Sequence, residues 1–127
     1  MTLHALIIDD DAYSVHIMER LLDLQDIRYT SIKDPTKLPA VLEGLDAIDV
    51  IFLDLEMPKL DGYEVLEILR DHFGEGVTIV ACTVHTSQVN MTRKLGFSSF
   101  VAKPLDTDRF PDHLQRILNS EPVWEAR

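Results

Sequence analysis

Five short apolar runs, each followed by a longer stretch with helical spacing, set the strongest constraint on this 127-residue chain. The runs are "ALII" (5–8), "IRYTSI" (27–32), "DVIFL" (49–53), "VTIVAC" (77–82) and "SSFVA" (98–102). Between and after them lie helical candidates. "AYSVHIMERLLDL" gathers Val15, Met18, Leu21 and Leu22 on one face, with Asp11 placed to cap its start. "TKLPAVLEGL" and "DTDRFPDHLQRILNS" each tolerate a proline, Pro39 and Pro111, only in the first turn. "GYEVLEILRDHF" repeats Val65, Leu66 and Leu69 and runs out at Gly74 and Gly76. "SQVNMTRKLGF" offers Val89, Met91 and Leu95, with Gly96 as an end cap. Strict strand–helix alternation predicts an α/β domain: a five-stranded parallel sheet with helices on both faces. The nearly unbroken apolarity of "DVIFL" and "VTIVAC" agrees, because central parallel strands are covered on both sides.

Composition matters here for what it excludes. Apolar residues at 46% and charged residues at 27% match a folded globular domain rather than a disordered or fibrous chain. A formal charge of -10 sets the chain against nucleic acid as a direct partner, since phosphates would be repelled. The same charge suits a pocket that draws in a cation. The single cysteine, Cys82, lies inside an apolar run and reads as a small buried hydrophobe. No signal-peptide pattern and no apolar run of membrane-spanning length occurs, so the expected setting is cytoplasmic, without membrane contact. A single domain is expected over residues 1–119, with 120–127 as a tail whose Trp124 either docks on the domain or marks a contact surface.

In an open parallel sheet, ligands gather at the carboxyl ends of the strands. Polar residues are found at four of those ends: Asp9, Asp10 and Asp11 after the first run, Asp54 after the third, Thr83 after the fourth and Lys103 after the fifth. Taken singly, each has an ordinary explanation. Asp11 is a helix cap, Asp9, Asp10 and Asp54 are turn residues, Lys103 is a solvated lysine and Thr83 is a strand-end hydroxyl. Taken together, they would form a carboxylate cluster whose mutual repulsion calls for a cation. A hard divalent ion such as Mg²⁺ prefers such oxygens and keeps positions open for a phosphate. Lys103 would meet a phosphate oxygen or, without phosphate, Asp54. An aspartate held between a metal and a lysine is placed to attack phosphorus.

With these residues in place, the chain resembles the receiver domain of two-component response regulators along essentially its whole length. The resemblance is carried by "LIIDDD", "DVIFLDLEMPKLDGYEVL", "CT" and "FVAKPL". It implies a flavodoxin-like fold with strand order 2-1-3-4-5. It also implies that Asp9 and Asp10 bind Mg²⁺ with Asp10 as direct ligand, that Asp54 is the phosphoacceptor, and that Glu56 lends the metal its backbone carbonyl. Met57, Pro58, Asp61 and Gly62 match the loop that follows, and Lys103–Pro104 matches a pair whose peptide bond is commonly cis. Phe100, three residues before the lysine, falls at the aromatic switch position. Counting back from Lys103 at the family's usual spacing lands on Ala81, two residues before Thr83. Thr83 is preferred for the switch hydroxyl, with a shortened fourth helix absorbing the difference.

The resemblance implies a phosphorylation switch without turnover of an external substrate. A sensor histidine kinase or phosphotransfer protein would be the donor, and a downstream protein the target. A stand-alone, chemotaxis-type receiver is expected. Two rivals remain at this stage: an interaction module of the same fold that is never phosphorylated, and a Mg²⁺-dependent phosphatase with an aspartate nucleophile. The phosphatase would need an acid two residues after that nucleophile, where Glu56 stands.

Overall fold

Strand β1 (His4–Ile8) is buried at every position, as are β3 (Val50–Asp54) and β4 (Ile79–Thr83). These three strands form the middle of the sheet in a computed structural model that describes residues 3–57 and 61–125. With β2 (Arg28–Ile32) and β5 (Ser99–Ala102), they pair in parallel in the order β2-β1-β3-β4-β5. The expected five-stranded arrangement is therefore present. It is extended by a two-residue strand, β6 (Trp124–Glu125), which adds in parallel to β5. Val123, just before it, is fully buried. Within the segment set apart as a tail, Trp124–Glu125 thus joins the sheet.

Strand alternation sorts the core into two layers. Ala5, Ile7, Phe52, Val80 and Val101 face α1 (Ala12–Leu24) and α5 (Phe110–Leu118). Leu6, Ile8, Ile51, Leu53, Ala81 and Phe100 face the other way, toward α2 (Leu38–Glu43) and α3 (Gly62–Phe73). The apolar stripes anticipated for the first and third helices are the buried ones: Val15, Met18, Leu21 and Leu22 in α1, and Val65, Leu66 and Leu69 in α3. Asp11 caps α1, its side chain accepting the Tyr13 N–H, and Asp61 caps α3 in the same way. Pro39 and Pro111 lie in first turns, where no backbone donor is lost.

The fourth helix is short. A 3₁₀ turn (Thr86–Gln88) precedes α4, which spans only Val89–Leu95 before Gly96 ends it in the left-handed conformation. Met91 and Leu95 are exposed and Thr92 is the buried residue, its hydroxyl donating to the Val89 carbonyl. The second and fifth helices are also shorter than the runs that suggested them, and each follows a turn.

Candidate functional site

Register fixes which side chains can meet. In the parallel ladders Ile8 pairs with Leu53, Asp54 with Cys82 and Thr83 with Ala102. Asp9, Asp54, Thr83 and Lys103 therefore emerge side by side at the carboxyl edge. Asp9 and Asp54 are buried, whereas Asp10 is exposed. Carboxylate oxygens of Asp9, Asp10 and Asp54 lie within 4.8 Å of one another. Three hard oxygen donors at that spacing, one open to solvent, suit Mg²⁺ by charge and by ligand chemistry.

Lys103 is the counter-charge. Its Nζ donates to Asp9 Oδ2 at 2.8 Å and stands 3.4 Å from Asp54 Oδ1. The lysine was expected to pair with Asp54, but its shorter contact is to Asp9. The reason is local: the Asp11 N–H holds the other oxygen of Asp9 and turns the carboxylate inward. Asp54 Oδ1 also accepts the Glu56 N–H. Burial pushes Asp54 up to about 7, and the neighbouring Asp9 adds to this while the Lys103 charge opposes it. For Lys103, burial alone would lower the pKa. Its hydrogen bond to Asp9 and the charges of Asp54 and Asp9 outweigh that, so the ammonium is held above its ordinary value. The Lys103–Pro104 peptide is cis.

Thr83, the last residue of β4, is fully buried, and its carbonyl accepts the Lys103 N–H at 2.9 Å. Ala81 lies two residues deeper, paired with Leu53 and Phe100 inside the core. The rim position beside Lys103 thus carries a hydroxyl. The short α4 accounts for the spacing that made Ala81 a rival. Phe100 is fully buried, and its N–H donates to the Val123 carbonyl at 2.7 Å. Trp124 is half-buried at the edge of the same cluster, with the Arg93 guanidinium of α4 over its ring at 4.6 Å.

Gly62, at the start of α3, packs against Leu55. A side chain at Gly62 would place its Cβ 3.0 Å from the Leu55 Cα, close enough that the Leu55 backbone would have to give way by a few tenths of an ångström. Met57 is buried, and Pro58 lies outside the described residues. The Glu56 side chain accepts the Thr83 hydroxyl at 2.6 Å and contacts His85 Nε2, a partnership that spacing along the chain does not announce. His85 escaped the sequence reading altogether. The usable signal was its place two residues after Thr83, matching Glu56 two residues after Asp54. A cavity of about 200 Å³ opens from Asp9, Asp54 and Lys103 between α1 and the segment after β5, walled by Ile17, Phe52 and Leu105. No helix among the described residues is long and apolar enough to cross a membrane.

Comparison with known proteins agrees with this geometry. A family model described as "Response regulator receiver domain" matches residues 5–115. The regulatory protein VirG of Agrobacterium fabrum is 26% identical over 120 residues, covering 94% of this chain and 47% of VirG. The protein-glutamate methylesterase/protein-glutamine glutaminase 1 of Myxococcus xanthus is 33% identical over 105 residues, or 78% of this chain and 29% of that protein. This chain thus spans about half or less of these curated relatives. Among solved structures, the Vibrio cholerae chemotaxis protein CheY4 superposes with a TM-score of 0.82 at 20% identity, covering 92% of this chain and 99% of that one. A CheY-like receiver domain protein from Methanospirillum hungatei gives 0.81 at 15% identity, covering 95% and 97%.

Proposed function

Since the chain belongs to the response regulator receiver family, we propose that it is a phosphorylation-dependent signalling switch in which Asp54 accepts a phosphoryl group from a partner histidine kinase or phosphotransfer protein. The observation that carries this reading is the buried Asp54 carboxylate, flanked by Asp9 and Lys103 at the carboxyl edge of the sheet. An Asp54 oxygen attacks phosphorus while the bond from phosphorus to the donor's histidine nitrogen breaks. The imidazole leaves with that electron pair, and an acyl phosphate remains on Asp54. Lys103, 3.4 Å from Asp54, is placed to take a phosphoryl oxygen as negative charge spreads over the transferring group. Asp9 holds the lysine at that spot. Asp10, Asp54 and the Glu56 backbone carbonyl, with Asp9 beside them, are the residues that would hold Mg²⁺. Its chemistry there is charge neutralisation at the phosphoryl oxygens.

Thr83 and Phe100 convert the modification into shape. A phosphoryl oxygen on Asp54 attracts the Thr83 hydroxyl, and Phe100, on the same side of the sheet, repacks into the space released. The surface formed by α4 and β5 then differs between the two states, and a downstream protein reads it. Moving such an equilibrium from about 1:99 to about 99:1 takes roughly 5.5 kcal/mol. A few charge-assisted contacts from one phosphoryl group supply part of this, and the partner's preference supplies the rest. Water attack on the acyl phosphate resets the switch. The reading carries a cytoplasmic setting with it, where a kinase has ATP.

The test is direct. The protein is incubated with Mg²⁺ and a small phosphodonor and weighed by intact-mass spectrometry. Gain of one phosphoryl group, lost in Asp54→Ala and in chelator, supports the switch. No gain would remove it in favour of a module that acts unphosphorylated. Steady turnover of simple phosphate esters would instead favour the phosphatase.

A further inference from the structure

Thr83 has a single hydroxyl proton, and Glu56 holds it. The Thr83 Oγ1 donates to Glu56 Oε1 at 2.6 Å and accepts the His85 N–H at 3.1 Å. His85 Nε2 contacts the second Glu56 oxygen. The three residues close a ring that joins the loop after β3, the end of β4 and the approach to α4. Thr83 is fully buried, so the carboxylate stands where water cannot serve as its acceptor. A bond from a hydroxyl to an ionised carboxylate is among the stronger ones a neutral donor makes.

We propose that Glu56 is a built-in competitor of the phosphoryl group for the Thr83 hydroxyl, held in position by His85. This rests on Asp54 being the phosphoacceptor. One hydroxyl donates to one acceptor at a time. Drawing Thr83 toward Asp54 therefore breaks one charge-assisted hydrogen bond to make another. The free energy available to drive the switch is the difference between two anionic acceptors, not the full value of the new contact. Glu56 thereby acts as a positioning residue that biases the chain toward its resting shape. His85 strengthens that bias from both sides, by fixing the carboxylate and by donating to the Thr83 oxygen. When the hydroxyl leaves, Glu56 keeps access to solvent, because its side chain is only about two-thirds buried (31% exposed). The competitor can thus step aside without stranding a buried charge.

The experiment uses the full chain and beryllium trifluoride with Mg²⁺ as the phosphoryl stand-in, its affinity measured by calorimetry. Five proteins are compared: wild type, Glu56→Ala, Glu56→Gln, Thr83→Ala and the Glu56→Ala/Thr83→Ala double variant. Glu56→Ala is expected to bind about tenfold tighter, the size of one lost competing hydrogen bond. Glu56→Gln, which keeps an acceptor but no charge, falls between it and wild type. In the Thr83→Ala background the gain from Glu56→Ala collapses to about twofold or less, because the competition runs through the hydroxyl. An equal gain in both backgrounds would mean that Glu56 acts by charge repulsion alone, and the proposal fails. It fails equally if wild type binds and Glu56→Ala shows no gain, an outcome that leaves Asp54 as phosphoacceptor. If no protein binds the probe, the phosphoacceptor reading falls and the competition falls with it. The Thr83 methyl resonance in the ligand-free protein provides a second readout. It shifts on Glu56→Ala and less on Glu56→Gln, and an unmoved resonance overturns the contact itself.

Discussion

Lys103 Nζ lies 2.8 Å from an Asp9 oxygen, and this ion pair joins the first and fifth strands across 94 residues of sequence. It is largely buried and it has a third member in Asp54. Lys103→Met would leave two buried carboxylates facing each other without a counter-charge. Loss of one partner from a buried pair costs about 3 kcal/mol, and urea unfolding at neutral pH measures it. The same variant is expected to lose most phosphoryl uptake by intact mass. Adding Asp9→Asn should restore stability but not uptake, separating the structural role of the lysine from its chemical one.

Asp54 gives the ligand-free protein a characteristic pH response. Its pKa rises from the ordinary carboxylate range to about 7 on folding, burial being the main cause. The folded state therefore holds a proton that the unfolded chain has released. The stability from this is fully present below about pH 4 and is lost as pH rises through about 7. Asp54→Asn cannot lose that proton. In chelator, Asp54→Asn should melt higher than wild type at pH 8, with the gap closing as pH falls toward 4. A gap independent of pH would show that Asp54 ionises without penalty.

Thr83→Ala separates chemistry from response. The variant retains Asp54, Asp9 and Lys103, so intact-mass spectrometry should still find the phosphoryl group on it. The aromatic resonances of Phe100, which are expected to move on modification of wild type, should stay in place. If Thr83→Ala responds as wild type does, the hydroxyl plays no part in the switch.

Gly62→Ala probes the loop behind Asp54. Its Cβ would meet the Leu55 backbone at 3.0 Å, and backbone yields less readily than a side chain. A loss of about 1–2 kcal/mol in urea unfolding is expected. Phosphoryl uptake should slow as well, since Leu55 is the residue next to Asp54.

Much of the fold is legible in the amino-acid sequence. β1, β3 and β4 announce themselves as unbroken apolar runs because both faces are covered, and each run stops where a polar residue reaches the sheet edge. Asp9, Asp54 and Thr83 could be placed at the edge for that reason, and Lys103 by following the fifth run. Less could be read where local pattern and tertiary contact disagree. Helical spacing at Val89, Met91 and Leu95 marks a helix, but Met91 and Leu95 are exposed, while Thr92 is buried with its hydroxyl satisfied within its own helix. β6 has two residues and no periodicity to detect. The Glu56–Thr83 bond spans 27 positions and depends on side-chain direction, which spacing along the chain does not encode.

Trp124 is the only tryptophan, and it sits in register with Phe100 beneath the Arg93 guanidinium. A repacking of Phe100, in the cluster against which Trp124 packs, is expected to change the surroundings of that indole. The protein thus carries its own optical gauge: a change in intrinsic fluorescence on addition of Mg²⁺ and a phosphodonor would time the switch without a label or a partner.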